Sequence, residues 1–213
     1  MKIIKPSYEI LTPISDGGIE ELRRIELAAR TCYKSEDKMT DDGESAKKIF
    51  KMLVEHGHDA MLEHSSLTVR FITDRGVSHE LVRHRLAAYA QESTRYCSYD
   101  KGKFGGEITV VRPSNIDRGS YAYVVWRAAC IRAEEAYMAL LDYGCKPQDA
   151  RSVLPTSLKT EIVVTANYRE WRHILALRTD NAAHPDIRAL LTPLLAELQK
   201  RIPIVFDGIG NED

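Results

Sequence analysis

The sequence predicts an α+β fold in a single domain, with a small, mainly antiparallel sheet and several long helices. Three observations carry this. Apolar residues recur at helical spacing over long windows, most clearly from Ser120 to Tyr143 through Tyr123, Val124, Ala128, Ile131, Met138 and Leu141. Strand-like stretches are few and short. No internal repeat, low-complexity run or convincing linker divides the chain, so residues 1–213 are read as one domain with one core.

Residues 2–14 read as an opening strand and turn, with Tyr8, Ile10 and Leu11 apolar and Pro6 and Pro13 as punctuation. Ile19, Leu22, Ile25, Leu27 and Ala28 form an apolar stripe that predicts a helix to about Tyr33. Lys34 to Glu44 is a polar loop. Ser45 is a plausible N-cap for a helix that stops near His56-Gly57. Ser66 to Ile72 alternates as a strand, Thr73-Asp74-Arg75-Gly76 as a turn, and a helix carries Val77 to about Leu86. Lys101 to Gly106 is a glycine-containing loop and Ile108 to Val111 a short strand. The long helix from Ser120 is closed by Gly144, and a short helix runs from Pro147 to Val153. Glu161 to Ala166, apolar and β-branched, is a strand. Asn167 opens a helix to about Thr179, and Pro185 leads a final helix to about Arg201.

Thirty basic and 31 acidic residues leave a net charge of -1, which argues against bulk binding to nucleic acid or an anionic membrane. Any anion must be held at local clusters. The start of the chain lacks the apolar core of a signal peptide, and no apolar run spans a bilayer. Cys32, Cys97, Cys130 and Cys145 form no C-x-x-C pair, so reduced thiols in a cytoplasmic protein are expected.

One such cluster lies in Glu80 to Tyr96. Arg83, His84 and Arg85 are consecutive, and on a helix their side chains would leave about 100° apart. Gln91, Ser93 and Arg95 follow in alternation. The stretch reads as a grip on anions from several directions. A zinc-protease helix is excluded, because His79 and His84 are five apart and sit roughly 140° out of line. His56, His58, Glu63 and His64 are read as shaping a ligand pocket rather than holding metal, so no metal is expected. Ser93 has no base beside it and no nucleophile elbow, which makes a hydrogen bond to phosphate its better role. Cys97 has no activating partner and reads as structural. A second basic set, Arg151, Arg169, Arg172, His173 and Arg178, lies mostly on the helix after Asn167. Two such sets in a near-neutral chain point to a polyanionic ligand.

These motifs resemble flavin-dependent thymidylate synthases. Arg83-His84-Arg85-x-x-Ala88-x-x-Gln91-x-Ser93-x-Arg95 is similar to the family signature RHRxxSxxxxSxR, with Ala88 at its first serine and Gln91 where glutamate is common. Gly57-His58 to Glu63-His64, Ala150-Arg151-Ser152-Val153-Leu154-Pro155, and Asn167 to His173 with Leu177-Arg178 resemble three further family segments. The resemblance implies methylation of dUMP to dTMP without an enzyme nucleophile. It implies bound FAD, with NADPH and 5,10-methylenetetrahydrofolate as co-substrates, and a homotetramer with active sites between subunits.

By the same match Arg178 is the catalytic group, a guanidinium that favours the N3-ionised pyrimidine. Around dUMP the match sets Glu80, Leu81, Val82 and Arg83, then Gln91, Glu92, Ser93, Thr94 and Arg95, with Arg151. Ser93, Arg95 and Arg151 are the preferred phosphate donors. For FAD it implies His58 and Ala60, Arg83, His84 and Arg85, with Gln91. From the late helix it adds Asn167, Tyr168, Arg169 and His173. There is no G-x-G-x-x-G, so FAD must be held by other means than that fingerprint. The competing reading, a non-catalytic nucleotide or RNA-binding module, is opposed by the near-neutral charge.

Overall fold

Alternation of buried and half-exposed positions builds the two longest strands, as period-two side-chain geometry requires. In β3 (Ser66–Asp74) Leu67, Val69 and Phe71 are buried, and in β6 (Lys159–Asn167) Ile162, Val164 and Ala166. With β2 (Ser7–Ile10) and β4 (Ala87–Gln91) they form an antiparallel sheet in the order β2-β3-β6-β4. A separate pair, β1 (Lys2–Ile4) and β5 (Thr109–Val111), is parallel, with Ile3 opposite Val110. The structure is a computed structural model that describes residues 1–100 and 105–210. Of the loop expected from Lys101 to Gly106, positions 101–104 lie outside the described residues. The α+β expectation holds, with helix well in excess of strand.

The chain's contacts divide into two compact units. Unit one comprises Met1–Tyr8, Arg70–Arg83 and Tyr89–Val163; unit two comprises Glu9–Val69, His84–Ala88 and the chain from Val164 onward.

Unit one contains α3 (Arg75–Leu81), α4 (Tyr121–Asp142) and α5 (Pro147–Ala150). Its core gathers Tyr99, Ile108, Val110, Cys130, Tyr137, Ala150 and Leu158. The Ser120 side chain accepts a hydrogen bond from the Tyr123 N–H at 3.2 Å and starts α4. Gly144, at φ +86°, ends it in the left-handed region that side chains disfavour. Only Cys130 and Tyr137 of α4 are fully buried, while Tyr121, Val124 and Val125 are exposed.

Unit two contains α1 (Ile19–Thr31), α2 (Glu44–Glu55), α6 (Tyr168–Thr179), α7 (Pro185–Arg201) and the short α8 (Pro203–Phe206). Helix α1 packs on α2, and α6 on α7. Ser45 is not the cap of α2. Gly43 occupies that place at φ +75°, where a Cβ would collide with the Ile19 side chain. Ser45 lies inside the helix and donates instead to Glu26 Oε2 at 3.0 Å, and Glu26 also pairs with Arg30 at 2.6 Å. That buried carboxylate captures the hydroxyl that the local pattern had assigned to capping.

The stretch 73–91 departs from expectation. No turn occurs at Thr73–Gly76: β3 runs on to Asp74, whose carboxylate accepts from the Val77 N–H at 2.9 Å and caps α3 directly. Helix α3 stops at Leu81 rather than Leu86, Arg83-His84-Arg85 forms a turn, and residues 87–91 are strand β4. The alanines of Ala87-Ala88-Tyr89-Ala90-Gln91 favour helix locally, and pairing with β6 overrides them. The three basic side chains therefore do not fan from a helix.

Candidate active site

In unit one, β4 and the turn after it position a polar row. Gln91 Nε2 donates to Ser78 Oγ at 2.8 Å and to Thr160 Oγ1 at 3.1 Å, so its amide nitrogen is committed to the protein. Glu92 accepts from Lys159 Nζ at 2.8 Å and from the Tyr99 hydroxyl at 3.3 Å. Burial alone would lower the Lys159 pKa, but hydrogen bonds to Glu161 and Glu92 outweigh it and raise it. Burial, and then the Glu92 charge, push the Tyr99 phenol up. Gln91, Glu92, Cys97, Tyr99 and Lys159 line a cavity of about 890 Å³.

The turn itself is tied by Ser93. Its hydroxyl accepts the Arg95 N–H at 3.2 Å and its carbonyl the Cys97 N–H at 2.9 Å. Arg95 stands over the Tyr96 ring, 5.3 Å from its centroid, and both are exposed. Thr94 is buried and accepts from Arg151 Nη1 at 3.3 Å. Thr94 and Arg151 line a second cavity of about 440 Å³ with Arg75, His79 and Ser152, to which the sequence assigns no binding role. Val82 and Arg83 are exposed, Glu80 is half-buried, and Leu81 is a core side chain. Unit one thus contains every residue expected around dUMP except Arg178.

Unit two holds Arg178 and most of the residues expected for FAD. His84, 5% exposed, accepts a hydrogen bond at Nε2 from Arg178 Nε, 3.0 Å away. That contact requires Nε2 to be unprotonated and puts the imidazole proton on Nδ1. Nδ1 faces Glu170 Oε1 at 3.6 Å, a buried carboxylate. The His173 ring meets His84 edge-on, with centroids 5.7 Å apart. Glu170 lies inside the late-helix motif but carries no site role there, because Asn167-x-x-Glu170 has the spacing of a helix start, and Asn167 Oδ1 does accept the Glu170 N–H at 2.8 Å. Its proximity to His84, 86 positions earlier, leaves no local signal.

Burial, followed by the charges of Arg178 and His173, pushes the His84 pKa from 6.5 to about 4. Glu170 does not offset them. The unfolded chain therefore takes up a proton that the folded one refuses. Stability contributed by neutral His84 is complete above pH 6.5 and declines as the pH falls toward 4. Below that window the loss levels off at on the order of 3 kcal/mol. Urea unfolding of the native protein and of His84→Asn across this range should show the steeper loss in the native protein. Equal slopes would contradict the assignment.

Two cavities of unit two receive the remaining residues. His58 and Ala60 line one of about 440 Å³ with Ile49, Met52, Leu53 and Met61. Arg169, Arg172 and His173 line another of about 590 Å³ with Leu62 and Leu86. Arg169 is exposed and paired with Glu63 at 2.7 Å. Arg85 is exposed as well. Tyr168 is fully buried, its ring against Phe206 at 5.9 Å, and serves the core of unit two.

Among the described residues, no three His, Cys, Asp or Glu side chains are grouped to hold a metal ion. Among them too, no helix is long and apolar enough to cross a membrane. All four cysteines are free thiols.

Residues 19–204 match the family model described as thymidylate synthase complementing protein. A flavin-dependent thymidylate synthase of Corynebacterium aurimucosum is 34% identical over 205 residues, covering 91% of this chain and 82% of that protein. One from Geobacter sulfurreducens is 34% identical over 193 residues, covering 87% and 81%. Among solved structures, the UMP/dUMP methylase PolB from Streptomyces cacaoi, bound with 5-Br dUMP, matches with a TM-score of 0.75 and 25% identity. That match covers 97% of this chain and 96% of the methylase.

Proposed function

Because the chain belongs to the family of flavin-dependent thymidylate synthases, we propose that it methylates dUMP to dTMP, with Arg178 as the catalytic cation. The observation that carries the residue assignment is the contact between Arg178 Nε and the buried, neutral imidazole of His84. An imidazole that stays uncharged can orient a guanidinium without repelling it. The co-substrates in this reading are 5,10-methylenetetrahydrofolate, the source of the carbon, and NADPH, the reductant.

The residues of unit two fit FAD. Arg169 and Arg172 provide cationic donors suited to a diphosphate, with the His173 imidazole, Leu62 and Leu86 lining the same cavity. The cavity at His58 and Ala60 is mainly apolar, as a ring system requires. Asn167, His84 and Arg85 belong to the proposed set, with Tyr168 through its backbone because its ring is committed to the core, and the family resemblance adds Arg83 and Gln91. When bound, the flavin supplies the reducing power for the methyl group.

The chain's own contribution is electrostatic. C5 of uracil becomes nucleophilic when negative charge develops on the pyrimidine, and a guanidinium at N3 stabilises that charge. Ser93 is suited to binding rather than attack, since its hydroxyl accepts a backbone N–H and has no base beside it. Glu80 to Arg83, Gln91 to Arg95 and Arg151 complete the proposed dUMP site. We take the whole chain as one catalytic domain, a reading supported by a family match that runs through both units. The exposed Tyr121, Val124 and Val125 on α4 support a homotetramer with sites between subunits, and the free thiols support the cytoplasm.

Purified protein should be yellow, with flavin absorption that bleaches when NADPH is added in the presence of dUMP. A preparation that neither takes up FAD nor binds dUMP would refute the function.

A further inference from the structure

We propose that Glu170 is a positioning residue, which holds the His84 imidazole in the tautomer that orients Arg178. This deepens the function proposed above and rests on Arg178 as its catalytic cation. The three side chains all belong to unit two. His84 Nδ1 lies 3.6 Å from Glu170 Oε1, and His84 Nε2 lies 3.0 Å from Arg178 Nε. A contact of 3.6 Å is longer than a hydrogen bond, so its effect is that of a charge on a dipole. With the proton on Nδ1, the ring turns its positive N–H end to the carboxylate and its lone pair to the guanidinium. The other neutral tautomer reverses both ends. It sets a lone pair against the carboxylate and an N–H against the Arg178 Nε–H, which then loses this acceptor.

The burial of Glu170 is the second observation. It is 6% exposed on α6, and a carboxylate so placed is costly unless a donor or a positive group meets it. Arg169, its neighbour in the chain, is exposed and pairs with Glu63 at 2.7 Å instead. The helix does not need the carboxylate as a cap, because Asn167 Oδ1 already accepts the Glu170 N–H at 2.8 Å. What meets the Glu170 carboxylate is the imidazole N–H of His84. An acid behind an imidazole that in turn holds a working group fixes the ring's tautomer and orientation without taking up its proton.

Glu170→Leu removes the carboxylate and keeps most of the volume. It should lower kcat for dTMP formation roughly 10- to 100-fold, the scale on which partners that orient a working histidine act. FAD uptake and the KM for dUMP should change little, since the loss falls on the orientation of the guanidinium. Glu170→Gln keeps a neutral acceptor for the Nδ1–H and should recover part of the loss. The tautomer is read directly by NMR of the ring nitrogens in protein carrying isotopically labelled histidine, with His84 identified by its loss in His84→Asn. The proton should sit on Nδ1 in the native protein and move toward Nε2 in Glu170→Leu. That measurement needs no substrate.

A proton on Nε2 in the native protein, or one still on Nδ1 in Glu170→Leu, overturns the proposal. So does a displaced proton with kcat unchanged, or a loss of kcat that only follows loss of FAD. If Glu170→Leu does not fold, the native tautomer and Glu170→Ala decide in its place. Failure of the native enzyme to form dTMP would instead refute the function proposed above, with the contact between Glu170 and His84 still judged by the tautomer.

Discussion

Arg178→Ala is expected to lower dTMP formation by about 10²-fold or more while FAD stays bound, the scale on which enzymes lose a donor aimed at developing negative charge. The loss should fall on kcat more than on the KM for dUMP, because the guanidinium is needed most where charge builds on the pyrimidine. A second readout separates this from a collapse of the site. Arg178 is one of the charges that hold the His84 pKa down at about 4, so removing it should move the His84 titration upward. NMR of the imidazole would register that shift with no substrate present. Arg178→Lys keeps a positive charge but loses the Nε–H that donates to His84, and should remain well below native turnover. Near-native turnover of Arg178→Ala, with His84 shifted as expected, would show that the guanidinium is present but not catalytic.

The parts of this arrangement visible in the sequence are those that local physics determines. Asn167 caps α6, Ser120 caps α4 and Gly144 ends it, and each was readable from the residues nearby. Arg178 was reachable by motif alone, because nothing around it in the chain indicates that its partner is His84. The same holds for Arg75. It lies beside a cap residue in a run that reads as a turn, and its cavity is assembled from positions 75 to 158. Strand β4 is illegible locally for the complementary reason. Its local preference is helical, and its register is imposed by β6 more than 60 positions later.

Trp171 links the stability of unit two to the placement of these groups. It is 0% exposed on α6, one position after Glu170 and two before His173, and its indole Nε1 donates to the Leu67 carbonyl on β3 at 2.8 Å. Trp171→Ala should cost about 3–5 kcal/mol, since the cavity left by a buried indole cannot close fully. Trp171→Phe keeps much of the ring but leaves the Leu67 carbonyl without that donor, and should cost on the order of 1–3 kcal/mol. Denaturant titration gives both values. Because α6 carries Glu170, His173 and Arg178, loosening its seat should also disturb the imidazole that orients the guanidinium. Where Trp171→Phe folds fully, its turnover should fall with little change in dUMP affinity, and the His84 titration should move toward 6.5. Reduced stability with turnover and titration both unchanged would separate the packing of α6 from the chemistry that it carries.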